Sequence, residues 1–90
     1  MTANEETRER LTFLLRRFQR ADRIAMLSRI IIRCEEELEN HISKLPPDDI
    51  PDELRKKWDE AGLAIRDINR RSLELKKKYR DKLVGDADGQ

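Results

Sequence analysis

From Leu54 onward, apolar positions recur at alternating steps of four and three: Leu54, Trp58, Ala61, Ile65, Ile68, Ser72, Leu75 and Tyr79, with Leu83 on the same line. That spacing keeps one side chain per turn on a single helix face. Held over most of the second half of the chain, it predicts a long helix with coiled-coil-like packing. The first half carries two stripes. Ile24, Leu27, Ile31, Cys34, Leu38, His41 and Leu45 form one. Leu11, Leu14, Leu15, Phe18, Ala21 and Ala25 form another, on roughly the opposite side at about 100° per residue. They overlap in RIAMLSRIIIRC, residues 23–34, which is apolar almost all round.

The strong breaker is KLPPDDIP, residues 44–51. Two helices are expected, about 5–44 and 51–83, antiparallel across one short turn. The fold class is all-α, a helical hairpin. Thr2 with Glu5 fits a capping box at the start. Basic residues followed by Gly85 read as the stop of the second helix. Residues 1–84 are then one domain and 85–90 a disordered tail.

Folding at the prolines brings Leu45 towards Leu54, Leu38 towards Trp58 or Ala61, Ile31 towards Ile68 and Ile24 towards Leu75. The hairpin therefore claims the Ile24–Leu45 stripe. The other stripe is left outward, and its candidate partner-binding residues are Leu11, Leu14, Phe18, Ala25, Met26, Ile30 and Ile32. An exposed patch of that kind points to a second copy or a partner protein, since monomers rarely carry one. A homodimer would make a four-helix bundle. On this reading Ile32→Lys disrupts assembly, whereas Ile31→Lys damages the hairpin. A break near Ala21-Asp22, giving three helices, is the competing architecture. No Gly or Pro stands there to reverse the chain, so one continuous helix is expected.

Composition sharpens this picture. Of 90 residues, 43% are charged and 4% aromatic, the balance of long helices rather than of sheets. A chain this short has limited core, which favours association. Its single cysteine, Cys34, excludes a disulfide framework. No apolar run is long enough to cross a membrane, the N-terminal MTANEETRERL has no signal-peptide core, and a cytoplasmic location is expected.

Charge is segregated. Residues 1–33 carry +4 (eight Arg, four acids), 34–53 carry −7 (one Lys, eight acids) and 54–83 carry +6 (eleven bases, five acids). The turn end is thus acidic and the open end basic. An alternative function follows: a nucleic-acid or acidic-protein contact through Arg16, Arg17, Arg20, Arg70, Arg71, Lys77 and Lys78. The bland reading of such runs is a solvated surface with some ion pairs. Acids interspersed among the bases favour that reading.

Catalytic chemistry finds little footing. His41 is alone, so no metal site is expected. Cys34 reads as a buried thiol, and Trp58 and Tyr79 as core rather than base-stacking platforms. There is no phosphate loop and no nucleophile constellation. Asp52-Glu53-Leu54-Arg55 resembles the Asp-x-x-Arg element of the small all-helical chorismate mutases, with Arg29 and Lys44 as conceivable partners for a dicarboxylate. Lys56 stands where their pattern has Glu, and no third helix is predicted. The expectation is a non-catalytic interaction, scaffold or chaperone-like subunit without cofactors.

Overall fold

The computed structural model describes residues 3–88 and their side chains as far as Gly85. Helix α1 spans Ala3–Ile42, a single 3-10 turn covers Pro47–Asp49, and helix α2 spans Asp52–Asp88. The two helices pack antiparallel along their length, and no strand occurs among the described residues. The fold is the expected all-α hairpin.

Local chemistry explains the boundaries. Glu5 and Glu6 occupy the first turn of α1, where the helix dipole favours negative charge. Thr2, the expected cap, lies outside the described residues. At the other end the helix tightens: Lys44 N donates to His41 O at 3.2 Å and Leu45 N to Ile42 O at 3.0 Å. Pro46 and Pro47 then remove the donors that would continue it. Ile50 is extended (φ −124°, ψ 113°), and Pro51 O accepts from Arg55 N at 3.1 Å, opening α2. α1 runs unbroken through Ala21-Asp22, which disposes of the three-helix alternative. α2 does not stop at Leu83 but passes through Gly85 to Asp88. A helical Gly costs only about 1 kcal/mol against Ala. Of the expected tail, residues 89–90 lie outside the described range.

The molecule measures 68 × 19 × 13 Å. It is one helix thick and two wide, so both broad faces meet solvent. Its radius of gyration is 20.0 Å, against roughly 12 Å for a compact domain of this length.

The two helices meet along faces other than those expected. Apart from Asp22, the more protected positions of α1 are Thr7, Leu11, Leu14, Phe18, Ala21, Ala25, Ser28, Ile32, Glu35, Glu39 and Ile42. They alternate in steps of four and three without a fault. In α2, apart from Asp67, they are Arg55, Trp58, Gly62, Ile65, Asn69, Ser72, Lys76, Tyr79 and Leu83, again in threes and fours. The seam of α1 is therefore the stripe assigned above to an external partner. Leu14 and Ala25 are buried against α2, and Leu11, Phe18 and Ile32 are half-buried. In α2 the expected line is half right: Trp58, Ile65, Ser72, Tyr79 and Leu83 face inward. Arg55, Gly62, Asn69 and Lys76 replace Leu54, Ala61, Ile68 and Leu75.

Candidate interaction surface

The seam owes its shape to small side chains and its selectivity to polar ones. Ala21, Ala25, Ser28, Gly62 and Ser72 hold the axes close. Asn69 Nδ2 crosses to donate to Ala25 O at 3.1 Å and Ser28 Oγ at 2.9 Å. Ser28 Oγ donates in turn to Ala25 O at 3.0 Å, and Ser72 Oγ to Asn69 O at 2.8 Å. Both serines are buried and both are satisfied.

Towards the turn, charge takes over. Glu39 accepts from Arg55 on one oxygen and from Trp58 Nε1 at 2.7 Å on the other. The Arg55 bond first, and the Trp58 bond second, hold the Glu39 carboxyl below its ordinary value. Arg66 Nη2 lies 2.6 Å from Glu35 Oε2, an ion pair without the angle of a directed hydrogen bond. Gly62 is what admits this pair: a Cβ there would sit 3.1 Å from Arg66 Nη1 and 3.2 Å from Glu35 Oε1. Further out, Lys76 Nζ reaches Asp22 Oδ1 at 2.8 Å.

Several of the apolar side chains left over gather on one broad face. Ile31, Cys34 and Leu38 from α1 line a groove with Trp58, Ala61 and Ile65 from α2, about 410 Å³ in volume. A second groove of about 390 Å³ continues towards the turn between Ile42, Ile50, Leu54 and Trp58. Ile24 lies seven residues before Ile31, Ile68 seven after Ala61 and Leu75 seven after Ile68, so the same lines run on towards the open end. Ile31 keeps 49% of its surface exposed, Leu38 47%, Ile68 47% and Leu54 55%. Cys34 and His41, expected in the hairpin core, are exposed on or beside this face.

The opposite face is mixed. A cleft there is walled by Asp22, Arg29 and Lys76 along with Met26 and Leu73. Met26 belongs to this charged side and Ile30 to the outer edge of α1. The expected partner-binding set is thus divided three ways, and Leu11, Leu14, Phe18, Ala25 and Ile32 are withdrawn from it by burial in the hairpin. The signal that would have found the true face was present: small and polar residues repeating at heptad spacing in both helices.

The basic positions are scattered. Arg17 stacks over the Phe13 ring at 5.0 Å and Lys78 over Tyr79 at 5.7 Å. Arg70 and Arg71 are both held by Asp67, at 2.6 and 2.8 Å, and Arg70 also by Glu74 at 3.1 Å. Arg16, Arg20 and Lys77 are exposed. Arg55, in the element that resembles the mutases, is occupied by Glu39. Among the described residues no cluster of three metal-ligating side chains forms, and no helix is long and apolar enough to cross a membrane.

No protein-family model matches the chain, and neither a curated protein nor a solved structure matches it. The surface must be read from its own chemistry.

Proposed function

We propose that this chain is a non-catalytic helical assembly subunit, self-associating or joining a partner protein through the face that carries Ile24, Ile31, Leu38, Leu54, Ala61 and Ile68. One observation carries the reading: the hairpin seam mixes apolar with small and polar side chains, while large aliphatic side chains such as Ile24, Ile31, Leu38, Leu54 and Ile68 stay about half exposed outside it. A surface helix ordinarily turns its apolar side inward. Here the intrachain core is Leu14, Ala21 and Ala25 with two serines, and no large side chain among the described residues is wholly buried. The outward stripes form a continuous apolar patch of the kind that marks interaction sites. Coiled-coil-like packing and a bundle of four helices are the natural completion.

Light scattering combined with an apolar-surface dye tests this. The chain should either exceed monomer mass or, as a monomer, bind the dye. Ile31→Lys should abolish both. A helical monomer at micromolar concentration that binds no dye removes the reading.

Nucleic-acid binding through Arg16, Arg17, Arg20, Lys77 and Lys78 is the second reading. It is supported by the basic open end and weakened by the carboxylates already paired with Arg70 and Arg71. It requires a complex whose affinity drops steeply with salt.

A further inference from the structure

We infer that the apolar face is covered by a second copy of this chain, turned end for end about a two-fold axis that passes beside Cys34. The inference rests on the assembly reading above and names its occupant.

The apolar stripe is self-complementary. A two-fold interface requires that the patch map onto itself. On α1 and the turn that follows it the exposed stripe runs from Ile24 to Leu45, and its midpoint in sequence falls between Cys34 and Glu35. On α2 it runs from Leu54 to Leu75, with its midpoint between Ala64 and Ile65. Polar contacts join Glu35 to Arg66 and Glu39 to Trp58, which puts those two midpoints level with each other across the seam. Rotation about an axis there lays the stripe on itself, Ile24 level with Leu45 and Leu54 level with Leu75.

Charge along the stripe favours the same pairing. Seven residues before Ile24, the apolar line reaches Arg17. Seven before Leu27, the edge of the face reaches Arg20. On α2 the corresponding edge carries Arg71 and Lys78. An axis beside Cys34 brings Arg20, fourteen residues before it on α1, towards the turn beyond Ile42 that carries Asp48 on the other copy. The acidic turn, with Asp48, Asp49, Asp52 and Glu53, thereby meets the basic middle of its partner. A parallel arrangement would set turn against turn, a segment of −7 against itself. Like charge facing like charge across an interface is disfavoured, so electrostatics selects the end-for-end pairing.

The exposed area permits it too. The hairpin exposes 7445 Å², about 1,900 Å² more than the roughly 5,500 Å² of a compact monomer of 10.7 kDa. That excess is spread over the whole elongated shape; a standard interface removes roughly 800 Å² from each partner, and one broad face of a molecule measuring 68 × 19 × 13 Å has room for a contact of that size. An anionic bilayer is a poor competitor for this face, because the acids of the turn flank one end of the patch.

Cysteine cross-linking with a short bis-maleimide tests the geometry. The native chain should have about twice the monomer mass, and Cys34 should cross-link to Cys34 of the second copy. In a Cys34→Ser background, Arg20→Cys and Asp48→Cys chains should each fail to cross-link alone, yet join when mixed and refolded together. Self-linking by Asp48→Cys would overturn the end-for-end arrangement. A helical monomer that binds the apolar dye would overturn the second copy while leaving the assembly reading intact. A helical monomer that binds none would remove both. Ile31→Lys, checked for retained helix content, should lose at least tenfold in cross-linking yield at Cys34.

Discussion

Ile31 and Ile32 are identical side chains, adjacent in sequence, and the fold treats them as opposites. Ile32 lies half-buried against α2; Ile31 stands at the rim of an open groove. The same contrast repeats at Ile24 and Ala25, and in α2 at Ile68 and Asn69. In each case the more apolar or equal member of the pair points outward. Hydrophobicity alone therefore did not choose the seam. Complementarity did: small residues let the helices approach, and the groups brought together satisfy each other. Asn69 finds Ser28, Glu39 finds Arg55 and Trp58, Asp22 finds Lys76. The larger aliphatic side chains, Ile24, Ile31 and Ile68 among them, stay about half exposed.

Putting a charge on each side of this divide gives the largest expected effect. Ile32→Lys should destabilise the hairpin by about 2–3 kcal/mol, read from denaturant unfolding of the dilute chain. Ile31→Lys should leave that dilute-chain stability within about 0.5 kcal/mol of the parent, as surface changes do, while abolishing assembly. The pairing is the reverse of the one predicted from periodicity. Equal losses at both sites would erase the distinction between seam and face.

Within the seam, Asn69→Ala should cost about 1–2 kcal/mol, because Ser28 and the Ala25 carbonyl lose a partner where water has little access. A matching substitution outside it, Ile68→Ala, should spare hairpin stability and weaken assembly instead. Chemical denaturation and light scattering on both variants separate the two outcomes.

Acid provides a finer probe. The folded Glu39 carboxyl titrates below its ordinary value of 4.5, chiefly because Arg55 donates to it. The lowered value favours the folded state above the ordinary pKa, and this contribution disappears as pH falls through the folded value. Unfolding followed below pH 4.5 should therefore show a decline that Glu39→Gln flattens. Asp67, lowered by Arg70 and then Arg71, adds a decline of the same sign as pH falls below its ordinary value of 3.8. Its partners lie outside the seam, so it should matter less to helix pairing.

The smallest effect belongs to Gly62. Replacement by Ala gains up to about 1 kcal/mol of helix propensity. Against this, the new Cβ would press on the ends of Arg66 and Glu35 at 3.1 and 3.2 Å, both flexible side chains. A net gain below about 1 kcal/mol is expected in thermal unfolding, and a loss would show that the Glu35–Arg66 pair is held more rigidly than its chemistry requires.

Much of this architecture was legible in the sequence. Two prolines and two aspartates gave the turn, the uninterrupted periodicity gave both helices, and the level at which they align was close: Leu38 does line one groove with Trp58 and Ala61. The rotation of each helix about its own axis was not legible. In α1 the competing stripes differ by a single residue at several points, Ile24 against Ala25 and Ile31 against Ile32. A heptad pattern then fixes the helix but leaves its inward side ambiguous. Ranking stripes by apolarity selects the wrong one wherever packing is governed by size and polar pairing. In α2 the error touched alternate positions, because Trp58, Ile65, Ser72 and Tyr79 are common to both choices. The end of α2 was missed for a different reason. Gly85 is compatible with a helix at a cost of about 1 kcal/mol against Ala, and the helix passes through it to Asp88.

The antiparallel course of the helices has a kinetic side. Contacts near the proline turn are local, with 16 residues separating Glu39 from Arg55 and 19 separating Glu39 from Trp58. At the Asn69 layer the separation has grown to 41 and 44. Each contact, once made, shortens the loop that the next must close, so pairing should begin at the turn and travel outward like a closing zipper. The open end is the last to join and the first to fray. Amide exchange should accordingly be slowest around Glu39 and Trp58 and quicken progressively towards Leu11 and Leu83.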